Sequence, residues 1–159
     1  MTQKSVGIAD LAVGAGDLTL FTVGLGSCVA IVLHDAECCV GGRAQVRLPP
    51  LALTAGAPKA GKVPSLAVPE MIARMRALGA SSEIRARLVG GASMFAPLLA
   101  PGSSGLGIRN VQAARAACAA HDLPIVGEAV GGDFGRSVYL DVRTGRVDVR
   151  TVKGPHVIL

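Results

Sequence analysis

The sequence predicts an α+β fold built in layers, on three observations. Short apolar runs bounded by glycine, proline and aspartate recur at both ends of the chain. In the middle the spacing changes: Val68, Met71, Ile72, Met75 and Leu78 fall at i, i+3, i+4, i+7 and i+10, one face of a helix. Half of the 159 residues are apolar, 17% are charged and 21 are glycine, which suits one domain with an aliphatic core and many tight turns. Two helices against many strands make a layered α+β arrangement. A single domain over residues 1–159 is expected, with 152–159 as a tail.

Taken in order, 8–13 and 18–23 are short strands separated by the turn Gly14-Ala15-Gly16-Asp17. Residues 28–34 form a buried strand, Asp35-Ala36-Glu37 turns the chain, and 38–48 returns as its partner until Pro49-Pro50 stops it. Residues 53–62 have loop composition. The first helix follows, with Pro69 in its first turn and Gly79 at its C-terminal end. A strand over 85–89 ends in Gly90-Gly91, and 100–107 is a loop rich in proline, glycine and serine. Asn110 is the expected N-cap of a second helix running to Ala120, with Val111, Ala114 and Cys118 facing inward. Strands over 125–130, 136–142 and 146–152 complete the chain.

The charge balance and composition narrow the function. The formal net charge is +5, from arginines scattered along the chain, and only 3% of residues are aromatic. Few aromatics to stack on bases argue against nucleic-acid binding, and a modestly basic face suits an acidic protein surface instead. A basic face including some of Arg43, Arg47 and Arg109 is expected to contribute to such docking. No run approaches the ~18–20 apolar residues that span a bilayer, and residues 1–16 lack the pattern of a signal peptide. The cysteines are Cys28, Cys38, Cys39 and Cys118, with no Cys-x-x-Cys pair, so neither a disulfide framework nor a metal site is expected. A reduced, cytoplasmic, monomeric protein without a cofactor is the expectation.

Cys28 is the candidate for chemistry. It ends the run Thr22-Val23-Gly24-Leu25-Gly26-Ser27-Cys28 and opens the apolar stretch Val29-Ala30-Ile31-Val32-Leu33. It reads two ways: as a small buried hydrophobe, the usual fate of a free cysteine, or as a nucleophile at the mouth of a sheet. The glycines before it would free backbone N–H groups around Gly26 and Ser27 to face a developing oxyanion. Thr22, six residues earlier, is either an ordinary β-branched strand residue or a hydroxyl that holds a partner or substrate amide. A dinucleotide reading of Gly24-Leu25-Gly26 fails, since the third glycine is missing and a strand follows. A zinc site from Cys28, His34, Cys38 and Cys39 lacks ligand spacing. No histidine is placed as a base: His34 would lie ~20 Å along the strand from Cys28 at about 3.3 Å per residue, His121 ends a helix, and His156 falls in the tail.

These residues resemble the CheD family, the chemoreceptor glutamine deamidases of bacterial and archaeal chemotaxis. The resemblance rests on Gly24-Leu25-Gly26-Ser27-Cys28-Val29-Ala30, Gly41-Gly42-x-Ala44, Leu48-Pro49, Gly90-Gly91-Ala92-x-Met94-Phe95, Ile108-Arg109-Asn110 and Gly131-Gly132-x-x-Gly135-Arg136, in this order over nearly the whole chain. It implies an α/β/β sandwich of mostly antiparallel or mixed strands with two main helices. It implies hydrolysis of receptor glutamine side chains to glutamate through a thioester on Cys28, with Thr22 assisting. It also implies chemoreceptor cytoplasmic domains as partners, and a CheC-type phosphatase as a second partner. The family's catalytic histidine follows the paired glycines, seventeen residues after the cysteine; here Gln45 holds that place. An amide cannot take a proton near neutral pH. Three readings stand side by side: a deamidase with an unusual base, a CheD-like pseudoenzyme that binds receptors or a phosphatase, and a thiol hydrolase or redox-responsive protein with another substrate.

Overall fold

A computed structural model describes residues 2–48, 63–81, 83–93, 105–154 and 156–159. The expected loop over 53–62, the stop at Pro49-Pro50, Met94-Phe95 and most of the expected loop over 100–107 lie outside the described residues. Among the described residues, ten strands and two helices follow in the order β1 Thr2–Ser5, β2 Leu11–Ala15, β3 Leu18–Leu25, β4 Val29–Asp35, β5 Val40–Val46, α1 Pro64–Ala77, β6 Ile84–Gly90, α2 Leu106–Ala120, β7 Ile125–Val130, β8 Arg136–Asp141, β9 Val147–Arg150 and β10 Val157–Ile158.

The strands form two five-stranded sheets, in the orders β2-β5-β4-β6-β7 and β1-β3-β8-β9-β10. Both are mixed: β1 runs parallel to β3 and β6 parallel to β7, while the other pairs are antiparallel. Alternation along β4 shows how the layers stack. Val29, Ile31 and Leu33 join a core with Met71, Ile72 and Met75 of α1 and Val111, Ala114 and Cys118 of α2. Ala30 and Val32 join a second core with Leu20, Val138, Leu140 and Val149 of the other sheet. The β4 strand is therefore a continuous apolar run because both of its faces are covered. The helices, the first sheet and the second sheet make three layers, an α/β/β sandwich as expected.

Several boundaries differ from expectation for identifiable reasons. α1 starts at Pro64, so Pro69 lies inside the helix rather than in its first turn. Neither helix has a side-chain cap at its start: Val63 and Gly105 occupy the N-cap positions. Asn110 is thus not an N-cap. It sits within α2 and is fully buried. At the end of α1 the expected glycine is in place: Gly79 (φ 101°) donates to Arg76 O and Ala80 N–H to Met75 O, the paired bonds of a Schellman ending. Leu78, expected on the inward face, is half exposed at that cap. β1 was not foreseen; its four residues are all exposed and only pairing with β3 makes it a strand. The residues expected as a tail end in β10, which pairs with β9.

Candidate active site

β3 carries a bulge: Thr22 pairs with Val138 and Leu25 with Arg136, so one extra residue is inserted around Val23-Gly24. Gly24 takes φ 75°, and the chain turns through Gly26-Ser27 to Cys28 at the threshold of β4. This turn is tied inward at every carbonyl. Gly26 O accepts from Ala92 N–H at 3.0 Å and Cys28 O from Gly91 N–H at 2.9 Å. Ser27 O accepts from the Asn110 Nδ2 amide at 2.8 Å, and Asn110 Oδ1 accepts from Leu48 N–H, also at 2.8 Å. Asn110 thereby joins the turn before Cys28 to the chain leaving β5. Among the described residues the N–H groups of Gly26, Ser27 and Cys28 meet no acceptor.

The close approach of Gly90 explains one of the paired-glycine motifs. A Cβ at position 90 would stand 2.3 Å from Cys28 O and 2.8 Å from Leu25, and φ is 113°. Arg136 braces the same corner. Its Nη1 donates to Gly131 O at 2.8 Å and reaches Gly90 O at 3.4 Å, while its guanidinium lies 4.5 Å over the Phe134 ring. Burial lowers the Arg136 pKa. A cavity of about 440 Å³ opens against the bulge, lined by Val23, Phe134, Arg150 and Val152 among others.

Cys28, Thr22 and Gln45 are all buried, at 7, 6 and 5% exposure. Cys28 packs in the core between the sheets. Gln45 pairs with Ala30 across β4 and β5, which places it on that same face, one diagonal step from Cys28. Thr22 comes from the opposite sheet. Its hydroxyl donates to the Val6 carbonyl and lies 3.1 Å from Gln45 Oε1. A hydroxyl has one proton, so Thr22 donates to one of these two oxygens at a time. The backbone of Gln45 is held as well, donating to Asp10 O at 3.1 Å and accepting from Ala9 N–H at 3.0 Å. The three predicted residues therefore share one end of the space between the sheets, and the Thr22–Gln45 pair is in direct contact.

Other expectations are corrected. Arg43, expected on a basic docking face, is fully buried between the sheets. Its Nη1 reaches Val138 O at 3.5 Å, and its Nε and Nη2 have no partner among the described residues. Burial pushes its pKa down to about 10. Arg47 is exposed and Arg109 partly so, as a docking role requires. Asn110 and Arg136 frame the site, yet the sequence reading had given them no part in it. The signal was present in the Ile108-Arg109-Asn110 and Gly135-Arg136 motifs, whose Asn110 and Arg136 side chains bond loop backbone groups. Cys118 is completely buried, and burial, reinforced by Glu128, raises its pKa to about 11. Cys38 is exposed and Cys39 partly so.

Residues 49–151 match a family model described as CheD, chemotactic sensory transduction. The chain is 40% identical over 153 residues to "Probable chemoreceptor glutamine deamidase CheD 2" of Geobacter metallireducens, covering 95% of this chain and 94% of that protein. It is 36% identical over 151 residues to "Probable chemoreceptor glutamine deamidase CheD" of Clostridium botulinum strain Hall, covering 94% and 93%.

Proposed function

The chain belongs to the CheD family, and on that premise we propose that it hydrolyses glutamine side chains of chemoreceptor cytoplasmic domains with Cys28 as nucleophile. The observation that carries this reading is the frame around Cys28. Three carbonyls are tied inward, and the N–H groups of Gly26, Ser27 and Cys28 meet no acceptor among the described residues. Such donors suit the oxyanion of an attacked amide. In the proposed reaction the Cys28 sulfur bonds to the amide carbon and its proton passes to water. Collapse of the adduct breaks the C–N bond, and the departing nitrogen takes a proton from water to leave as ammonia. A second water opens the thioester, giving the glutamate carboxylate and the free thiol. Thr22 orients the amide from the opposite sheet.

Gln45 sets the rate in this account. It stands where the resembled family has a histidine, and an amide can hold a hydrogen bond but not relay a proton. General acid–base assistance is worth ~10²–10⁴-fold, and position 45 does not supply it. Turnover is accordingly slow. The same substitution favours a second reading, in which the fold serves mainly to bind receptors or a CheC-type phosphatase. Both are assigned to the cytoplasm, where the receptor domains lie. Mass spectrometry of a purified receptor cytoplasmic domain separates the two. A gain of about one dalton at specific glutamines that disappears with Cys28→Ala supports the deamidase; receptor binding with no mass shift over long incubation supports the binder.

A further inference from the structure

A second concave site lies at the opposite end of β4 from Cys28. A cavity of about 520 Å³ is lined by His34, Glu37, Glu83, Arg85 and Arg87, with Gly145 in its wall. Its charges are ordered by strand register. Arg87 pairs with Val32 and Arg85 with His34 across β6 and β4, so Glu83 continues the same face one step further out, beside the turn that carries Glu37. The step between successive same-face residues is ~6.6 Å. Arg87, the innermost, is half-buried, whereas Glu37 and Glu83 are exposed at the rim. One end of the cavity is therefore cationic and the other anionic.

These opposite charges do not neutralise one another. The ion pairs among the described residues join Arg74 to Glu70, Arg115 to Glu128 and Arg146 to Asp148, and none joins Arg85 or Arg87 to Glu37 or Glu83. Burial lowers the Arg87 pKa, and the neighbouring charge of Arg85 lowers it further. The back wall is rigid. His34 Nε2 lies 2.7 Å from Val142 O, and since a carbonyl only accepts, Nε2 carries the proton. Gly145, at φ 78°, leaves room for the ring: a Cβ there would stand 2.5 Å from His34 Nδ1.

We propose that this cavity binds a small zwitterion, a free α-amino acid, with its carboxylate on Arg85 and Arg87 and its ammonium toward Glu37 and Glu83. A guanidinium grips a carboxylate with two parallel hydrogen bonds, and a ligand carrying both charges spans the gap that the side chains leave open. Inorganic anions would satisfy only the inner end, and amines only the rim.

Calorimetric titration of the full chain tests this. Alanine, glycine and glutamine are compared with acetate, methylamine and inorganic phosphate, and wild type with Arg87→Gln, Arg85→Gln and Glu83→Gln. Thermal melts confirm that each variant is folded. The expected result is binding of the amino acids, including those without a side-chain amide, at least about tenfold tighter than acetate or methylamine. Each variant should weaken it by about tenfold or more. Binding of phosphate in preference to amino acids would overturn the zwitterion. Amino-acid binding indifferent to all three variants, or no binding of any probe, would overturn the site.

Discussion

Arg43 shows how far a single side chain can stand from what its chemistry favours. It is fully buried, and two of its nitrogens have no partner among the described residues. Its folded-state pKa of about 10 is depressed below that of an ordinary guanidinium, so the cost of the buried charge is complete at neutral pH and is relieved only as the pH rises past about 10. Arg43→Met should therefore stabilise the fold by roughly 1–4 kcal/mol, with little change between neutral and mildly alkaline pH; urea unfolding that shows a loss would refute it. The cysteines make a second residue-scale prediction. With Cys38 and Cys39 replaced by serine, iodoacetamide should modify Cys28 in the native protein and Cys118 only after unfolding, because Cys118 is completely enclosed with a raised pKa while Cys28 keeps 7% exposure. Comparable native rates at both would contradict the assignment of Cys28 as the reactive thiol. Arg43 could not be read as buried from sequence: its exposure is decided by a sheet packed on it from ninety-five residues away, where it reaches Val138.

Elements were legible where pattern and burial agree. β4 reads as a buried strand because both faces are apolar, and α1 because Val68, Met71, Ile72 and Met75 line one face. The helix starts were hard to read for a local reason: neither helix has a capping side chain, Pro69 competes with Pro64 as the proline that opens α1, and Asn110 drew the N-cap reading by its residue type alone. In the structure its amide joins two loops, which predicts that Asn110→Ala costs roughly 2–4 kcal/mol and loosens the Cys28 turn; amide exchange at Gly91 and Ala92 would report the loosening, and unchanged protection there would contradict it. Asp35 ties elements in the same way. It is completely buried, and burial alone would raise its pKa. Bonds from Ser81 N–H, Cys38 N–H, the Ser81 hydroxyl and Glu37 N–H outweigh that and hold it below the ordinary 3.8. Its folded pKa is depressed, so its contribution is present above 3.8 and is lost as the pH falls below it. Asp35→Asn should lower stability at neutral pH and flatten its decline in acid; an unchanged acid limb in denaturation curves would count against this.

At the scale of the whole molecule, three layers leave two ends of β4 with different chemistry. One end holds the thiol, Thr22 and Gln45 in the space between the sheets. The other holds the arginine and glutamate cavity. The sequence offers Cys28, Thr22 and Gln45 as candidates; their convergence was not readable, since Thr22 belongs to one sheet and Cys28 and Gln45 to the other. The central claim is that this scaffold is an intact cysteine deamidase slowed by the amide at position 45. The most direct test is ammonia release from a purified receptor cytoplasmic domain, measured side by side for wild type, Cys28→Ala and Gln45→His. The account predicts slow release by wild type, none above background for Cys28→Ala, and an increase on the order of 10²-fold or more for Gln45→His. Release that survives Cys28→Ala, or a Gln45→His variant no faster than wild type, would contradict it.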